Sequence, residues 1–81
     1  SYDTLNAIVE YIYAGNIVIN DRNVQKLFEV GHLMGFNYIV TSCAEFMKKM
    51  KTTANVVGLY RFALLFQDES LQEEARKFII E

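Results

Sequence analysis

The stretch Tyr11-Ile-Tyr-Ala-Gly-Asn-Ile-Val-Ile19 decides the fold, because a helix is predicted to end within it and a strand to follow. Gly15 suits the left-handed residue that follows a helix. Residues 17–19 are β-branched and lie next to asparagines, which predicts a short strand. A single strand leaves its backbone donors and acceptors without partners. The chain is therefore expected to be part of a larger fold.

Helical periodicity surrounds this stretch on both sides. Upstream, four apolar residues recur at the spacing of one helical face: Leu5, Ile8, Val9 and Ile12. Downstream, Gly31 lies inside the second predicted helix, where glycine costs about 1 kcal/mol relative to alanine, so a close helix contact is expected. The predicted fold class is mainly α, with a strand at residues 17–19 and helices at residues 3–14, 21–34, 38–50, 53–66 and 69–81.

Short polar side chains precede the later helices and predict their first turns. Gly35 is predicted to end the second helix, because it also suits the left-handed residue that follows a helix. The predicted caps are Asn20 or Asp21, Asn37, Thr52 with Asn55 three residues later, and Asp68.

Composition and charge limit the kinds of partner. With 81 residues, of which 52% are hydrophobic, the chain fits one small domain or a fragment of one and is too apolar to be disordered. Its net charge of −2 offers no positive field for nucleic acid or a membrane surface. No apolar run reaches the roughly 20 residues that span a bilayer. Cys43 is the only cysteine, which fits a reducing compartment and predicts a cytoplasmic or nuclear protein.

Residues that could perform catalysis or bind metal are few. His32 is the only histidine and has no second ligand at metal-binding spacing, so a helix surface residue is expected. Cys43 lies on an apolar helical face and is predicted to be a buried structural thiol. Glu73 and Glu74 are adjacent, so their side chains diverge on a helix and form no acid–base pair. We predict no enzyme activity, no catalytic residue, no metal site and no cofactor.

Aromatic residues exceed what five short helices can enclose. Such residues favour protein interfaces, and a further segment of the same domain would also cover them; the two interpretations are compatible. The chain alone is therefore predicted to be marginally stable or to self-associate. The residues concerned are Tyr2, Tyr11, Tyr13, Tyr38, Tyr60, Phe36, Phe62 and Phe66.

Several motifs follow one another along the chain. They are Tyr11-Ile-Tyr-Ala-Gly15, Asn23-Val-Gln-Lys-Leu-Phe28, Leu33-Met-Gly-Phe-Asn37 and Cys43-Ala-Glu-Phe46. In this order they resemble the C-terminal half of a BTB/POZ domain. The later segment Asn55-Val-Val-Gly-Leu-Tyr-Arg-Phe-Ala63 resembles the 3-box that opens the BACK region of kelch-like proteins. The resemblance implies a partial, POZ-like domain at residues 1–51 and the first BACK helices at residues 52–81.

The resemblance implies a non-enzymatic substrate adaptor of a cullin-3 RING ubiquitin ligase. In that family the BTB domain forms a homodimer and binds the N-terminal domain of cullin-3, while another domain, often kelch, recruits the protein substrate. The family's main cullin anchor belongs to the first half of the domain, so it cannot be assigned to any residue of this chain. The implied cullin-facing residues are Asp21, Phe36, Asn37, Tyr38, Val56 and Tyr60, and the implied dimer strand is Ile17, Val18 and Ile19.

Two other functions are compatible with the same residues. A BTB-like module can serve as a homodimeric scaffold or in transcriptional regulation without cullin, but such members usually continue into a linker, whereas a helical hairpin is predicted here. A generic helical-repeat scaffold would require another two-helix unit of similar pattern beyond Glu81, and it leaves the predicted strand unexplained. We therefore predict the adaptor.

Overall fold

Five α-helices make up the chain in the computed structural model, which describes residues 2–80. The helices are α1 (Tyr2–Ala14), α2 (Val24–Met34), α3 (Asn37–Lys49), α4 (Val56–Leu65) and α5 (Glu69–Ile80). The mainly α fold class is thereby confirmed. α2 and α4 begin later than the predicted residues 21 and 53, because residues 21–23 and 53–55 form turns. Glu81, the last residue of the fifth predicted helix, lies outside the described residues.

The strand predicted at residues 17–19 is wrong, because the described part of the chain contains helices and turns but no strand. A strand is defined by backbone hydrogen bonds to a neighbouring strand. Within residues 2–80, no main-chain group bonds to the main chain of residues 17–19. The side chains of Ile17 and Ile19 are half-buried, whereas Val18 is 62% exposed. This segment has the alternation of a strand but lacks a partner within the described residues.

Two asparagines, Asn20 and Asn23, hold the turn before α2. The Asn23 N–H donates to Asn20 Oδ1 at 3.0 Å, and the Asn20 N–H donates to Asn23 Oδ1 at 2.9 Å. This reciprocal bonding is that of a capping box, so Asn20 caps the turn at residues 21–23, while the residue directly before α2 is Asn23. Asn23 Nδ2 also donates to the Val18 carbonyl oxygen at 3.0 Å. Asn23 is only 1% exposed and ties the preceding segment to the helix.

The turn before α4 repeats this arrangement with Thr52 and Asn55. The Thr52 N–H donates to Asn55 Oδ1 at 2.7 Å, and the Asn55 N–H donates to Thr52 Oγ1 at 3.2 Å. Asn55 Nδ2 donates to the Met50 carbonyl oxygen at 3.1 Å. The predicted pairing of Thr52 with Asn55 is confirmed. Asn55 is exposed, whereas Asn23 is buried, so the two turns make the same hydrogen bonds but differ in burial.

The chain divides into two compact units, Ser1–Phe46 and Met47–Glu81. In the first unit, α2 and α3 are in close contact at Gly31. A Cβ atom added to Gly31 would lie 2.9 Å from Ile39 Cγ2 and 3.3 Å from Val40 Cγ2. These separations are too short for an ordinary side chain, so the close helix contact predicted at Gly31 is confirmed.

The second unit contains the α4–α5 hairpin. Asp68 Oδ1 accepts a hydrogen bond from the Leu71 N–H at 3.0 Å, which confirms Asp68 as the cap of α5. Lys51 Nζ lies 2.8 Å from Glu74 Oε2, and this hydrogen bond lowers the pKa of the Glu74 carboxyl. α5 is thereby joined to the segment before α4. The buried residues of the two packed helices are Val56, Leu59, Ala63, Leu71 and Ala75.

The apolar stripe of α1 is exposed in the described chain. α1 ends at Gly15, whose φ of 75° is left-handed as predicted. Leu5 and Ile12 on the stripe are 62% and 63% exposed, while Thr4 and Ala7 are buried. The exposed stripe agrees with the surplus of apolar surface that the composition predicts.

Candidate protein-interaction surface

The turn between α2 and α3 positions three of the predicted site residues, Phe36, Asn37 and Tyr38. Gly35 ends α2 with a φ of 77°, and the Phe36 N–H donates to the Gly31 carbonyl oxygen at 2.8 Å. α3 then begins at Asn37, so Asn37 is the first helical residue and not the predicted cap before it. This short turn brings the rings of Phe36 and Tyr38 against α1.

Tyr11 of α1 completes an aromatic cluster, which we define as Tyr11, Phe36 and Tyr38. The rings of Tyr11 and Tyr38 stack at 5.8 Å between centroids, with 11° between their planes. Tyr11 and Phe36 lie 6.1 Å apart and are tilted by 54°. Aromatic pairs of this kind add about 0.5–1.5 kcal/mol beyond the area they bury. Tyr38 remains 55% exposed, so the cluster combines a fixed arrangement with surface available for binding.

An open cleft of ≈ 650 Å³ borders the aromatic cluster and is lined by Tyr11, Ile12, Gly15 and Tyr38. Its lining is mainly apolar, with two phenol hydroxyls that can donate or accept hydrogen bonds. Tyr11 was not among the predicted site residues. The sequence places Tyr11 in the first family motif and among the surplus aromatic residues, but it does not reveal the contact with Tyr38, which lies far along the chain.

The remaining predicted residues of the first unit are not part of the aromatic cluster. Asp21 is exposed in the turn before α2, and none of the ring contacts in the cluster involves it. Within residues 2–80, the main chain of residues 17–19 makes no main-chain hydrogen bond, and the Val18 carbonyl oxygen accepts one from the Asn23 side chain. The structure therefore joins Phe36 to Tyr38 through Tyr11 and leaves Asp21 outside this cluster.

Val56 and Tyr60 lie one turn apart on α4 of the second unit. Val56 is only 4% exposed and offers little surface, whereas Tyr60 is half-buried. The hydrogen bond between Arg76 and Glu73 raises the pKa of the Arg76 guanidinium, and Tyr60 contributes to the same rise. Tyr60 thus lies beside a charged pair. The assignment of Val56 and Tyr60 to a binding groove stays a prediction.

The described residues offer little metal-binding or thiol chemistry. Within residues 2–80, no three His, Cys, Asp or Glu side chains are placed to hold a metal ion. Cys43 is buried, as predicted, and desolvation raises the pKa of its thiol to about 12. The thiol is therefore protonated at neutral pH and is a poor nucleophile. The His32 ring stacks on the Phe28 ring, with 6.2 Å between their centroids.

None of the described helices has the length and apolar character that crossing a membrane requires.

Known proteins resemble this chain over nearly its whole length. The BTB/POZ domain family matches residues 1–51. Human kelch repeat and BTB domain-containing protein 2 is 33% identical over 76 residues, which cover 94% of the chain and 12% of that protein. Kelch-like protein 40 of Xenopus tropicalis is 32% identical over 77 residues, which cover 95% of the chain and 12% of that protein. Mouse kelch-like protein 23 is 31% identical over 78 residues, which cover 96% of the chain and 14% of that protein. The chain thus spans 12% to 14% of these relatives.

Proposed function

The chain belongs to the BTB/POZ domain family, and on this basis we propose that it is a protein-interaction module of a substrate adaptor for a cullin-3 RING ubiquitin ligase. The module is non-enzymatic and contributes to homodimerisation and to binding the N-terminal domain of the cullin. Another domain of the parent protein binds the substrate. The relatives named for both BTB domains and kelch repeats support this division of tasks.

The aromatic cluster is the observation that carries the proposal. Phe36 and Tyr38 occupy positions that the family resemblance implies for cullin binding, and Tyr11 holds Tyr38 by stacking. Exposed aromatic side chains on a fixed backbone lose little conformational entropy on binding and are common energetic centres of interfaces. We propose Asp21 and Asn37 as polar neighbours in the same interface, because both are exposed.

We further propose that residues 1–51 are the end of the BTB domain and that residues 52–81 open a BACK region. The family match ends at residue 51, and the relatives match beyond it. The turn held by Thr52 and Asn55 begins at the proposed boundary. A cytoplasmic or nuclear location belongs to the same proposal, because cullin ligases act there.

Replacing Tyr38 with alanine in the full-length parent is expected to weaken binding to the cullin-3 N-terminal domain by about tenfold or more, because an exposed aromatic contact is lost. Tyr60→Ala is expected to weaken binding as well. Isothermal titration calorimetry with the purified cullin domain measures both effects. Tyr2→Ala is the matched control, since Tyr2 is 83% exposed and lies outside the predicted surface.

Unchanged affinity in both Tyr38→Ala and Tyr60→Ala would show that the site assignment is wrong. A parent protein that does not bind cullin-3 at all would refute the adaptor function, while membership of the BTB/POZ family would stand. In that case the homodimeric scaffold is the remaining function for the module.

Val18→Pro is expected to weaken homodimerisation of the parent at least tenfold if residues 17–19 pair with a strand of the other subunit. Proline removes the Val18 N–H, which a paired strand needs, and it leaves the carbonyl that Asn23 uses. Val18→Thr keeps the N–H and serves as the control. Analytical ultracentrifugation gives the dimer dissociation constant, and an unchanged constant for Val18→Pro would exclude the proposed dimer strand.

A further inference from the structure

Two lysines meet the first turn of α5 in the second unit. Ser70 is the second residue of α5 and is exposed. Lys48, near the end of α3, donates from Nζ to Ser70 Oγ at 2.6 Å. Lys51 Nζ lies 2.8 Å from Glu74 Oε2, one helical turn beyond Ser70, and also donates to the Lys48 carbonyl oxygen at 2.9 Å. Two ammonium groups therefore lie on the side of α5 that carries the Ser70 hydroxyl.

The electrostatics beside Ser70 favour an added negative charge. The hydrogen bond from Lys51 lowers the pKa of the Glu74 carboxyl, and the charge of Lys48 lowers it further. The Lys51 ammonium thus balances Glu74, while the Lys48 ammonium contacts a neutral hydroxyl at Ser70. A phosphate on Ser70 would turn this contact into a charge-assisted hydrogen bond, which is stronger. An ammonium has three donors, so Lys48 can bind a phosphate oxygen and keep other contacts.

Acidic residues flank Ser70 on both sides along the chain. Asp68 and Glu69 directly precede Ser70, and Glu73 and Glu74 follow at the third and fourth positions after it. Protein kinases select their substrates partly by the pattern of charge around the acceptor residue. A segment of this composition is complementary to a kinase whose substrate groove is basic. The exposed hydroxyl therefore lies in a sequence that an acid-directed serine kinase would recognise.

We propose that Ser70 is a phosphorylation site for an acid-directed serine kinase and that Lys48 binds the resulting phosphate. The kinase transfers the γ-phosphoryl group of ATP to Ser70 Oγ. The bond from the γ-phosphorus to the bridging oxygen breaks, ADP leaves, a phosphorus–Oγ bond forms, and the hydroxyl proton passes to a base of the kinase. The phosphate carries a charge of about −1.5 to −2 at pH 7 and ties α5 to the end of α3. Neither residue belongs to the predicted cullin-facing set, so the inference goes beyond the proposed function.

The first test treats the full-length parent with casein kinase II, an acid-directed serine kinase, and ATP with Mg²⁺. Peptide mass spectrometry is expected to locate a phosphate on Ser70, and Glu73→Gln is expected to slow its addition at least fivefold. Protein kinase A, which selects basic flanks, is the control enzyme and should leave Ser70 unmodified. Ser42, half-buried in the middle of α3, is the control residue and should stay unmodified by either enzyme.

The second test measures amide hydrogen exchange in peptides from residues 67–80 of the phosphorylated and unmodified parent. Phosphorylation is expected to slow exchange at least threefold, because the phosphate joins the first turn of α5 to Lys48. Lys48→Met should remove this difference, whereas Lys49→Met, at an exposed neighbouring position, should preserve it. Absence of phosphate from Ser70, phosphorylation without slower exchange, or protection that persists in Lys48→Met would each overturn the proposal. Cullin affinity enters neither test, so the proposed function stands or fails separately.

Discussion

Replacing Asn23 with alanine is expected to lower the free energy of unfolding by about 2–4 kcal/mol, because a buried side chain and the two part-buried hydrogen bonds that it makes to the backbone are lost. The Asn23 side chain accepts from the Asn20 N–H at 2.9 Å and donates to the Val18 carbonyl oxygen at 3.0 Å. Asn23 is 1% exposed, so water cannot readily replace its bonds. Urea unfolding followed by far-ultraviolet circular dichroism gives the change in free energy.

Asn55→Ala is the control that separates the effect of burial from the effect of the turn's hydrogen bonds. Asn55 makes the same three bonds in the turn before α4, with Thr52 and with the Met50 carbonyl oxygen. Because Asn55 is exposed, water can take over the freed groups, and the expected loss is about 0.5–1.5 kcal/mol. Equal losses at the two positions would mean that local capping geometry, and not burial, determines the stability of these turns.

The same pair of turns shows why part of the fold could be predicted from sequence. Asn20, Thr52 and Asp68 bond to backbone groups only a few residues away, so the sequence around each cap contains all the atoms involved. Gly35 ends α2 by an equally local rule. Among the helix boundaries, the sequence misplaced by more than one residue only the starts of α2 and α4, because a bonded turn precedes each of them and has helix-like spacing.

Features that depend on distant partners could not be predicted from the same signals. Residues 17–19 have the composition of a strand, but a strand exists only with a neighbour, and residues 2–80 supply none. Tyr11 belongs to the candidate site through its contacts with Phe36 and Tyr38, which lie on another helix and the turn before it. The family resemblance implies a groove position for Val56, yet Val56 is only 4% exposed, and that burial depends on how α4 packs.

Gly31 was the exception, since its sequence position alone predicted a long-range contact, and its replacement tests that contact. Gly31→Ala is expected to lower the free energy of unfolding by up to about 2 kcal/mol. The added methyl would lie 2.9 Å from Ile39 Cγ2, and Ile39 is fully buried, so moving it would disturb its packed neighbours. Overpacking of this kind costs about 1–3 kcal/mol, which exceeds the gain of about 1 kcal/mol from replacing a helical glycine.

Gly58→Ala is expected to have the opposite effect, raising the free energy of unfolding by about 0.5–1 kcal/mol. Both glycines are helical, but the space around Gly58 is open, so only the helix propensity changes. Urea unfolding of the two variants under identical conditions measures the difference in sign. If Gly31→Ala stabilised the chain as Gly58→Ala does, Ile39 Cγ2 would have to lie farther than 2.9 Å from the added methyl group, and the contact between α2 and α3 would be less close than the structure shows. An opposite sign for the two glycines therefore ties the prediction to packing and not to helix propensity.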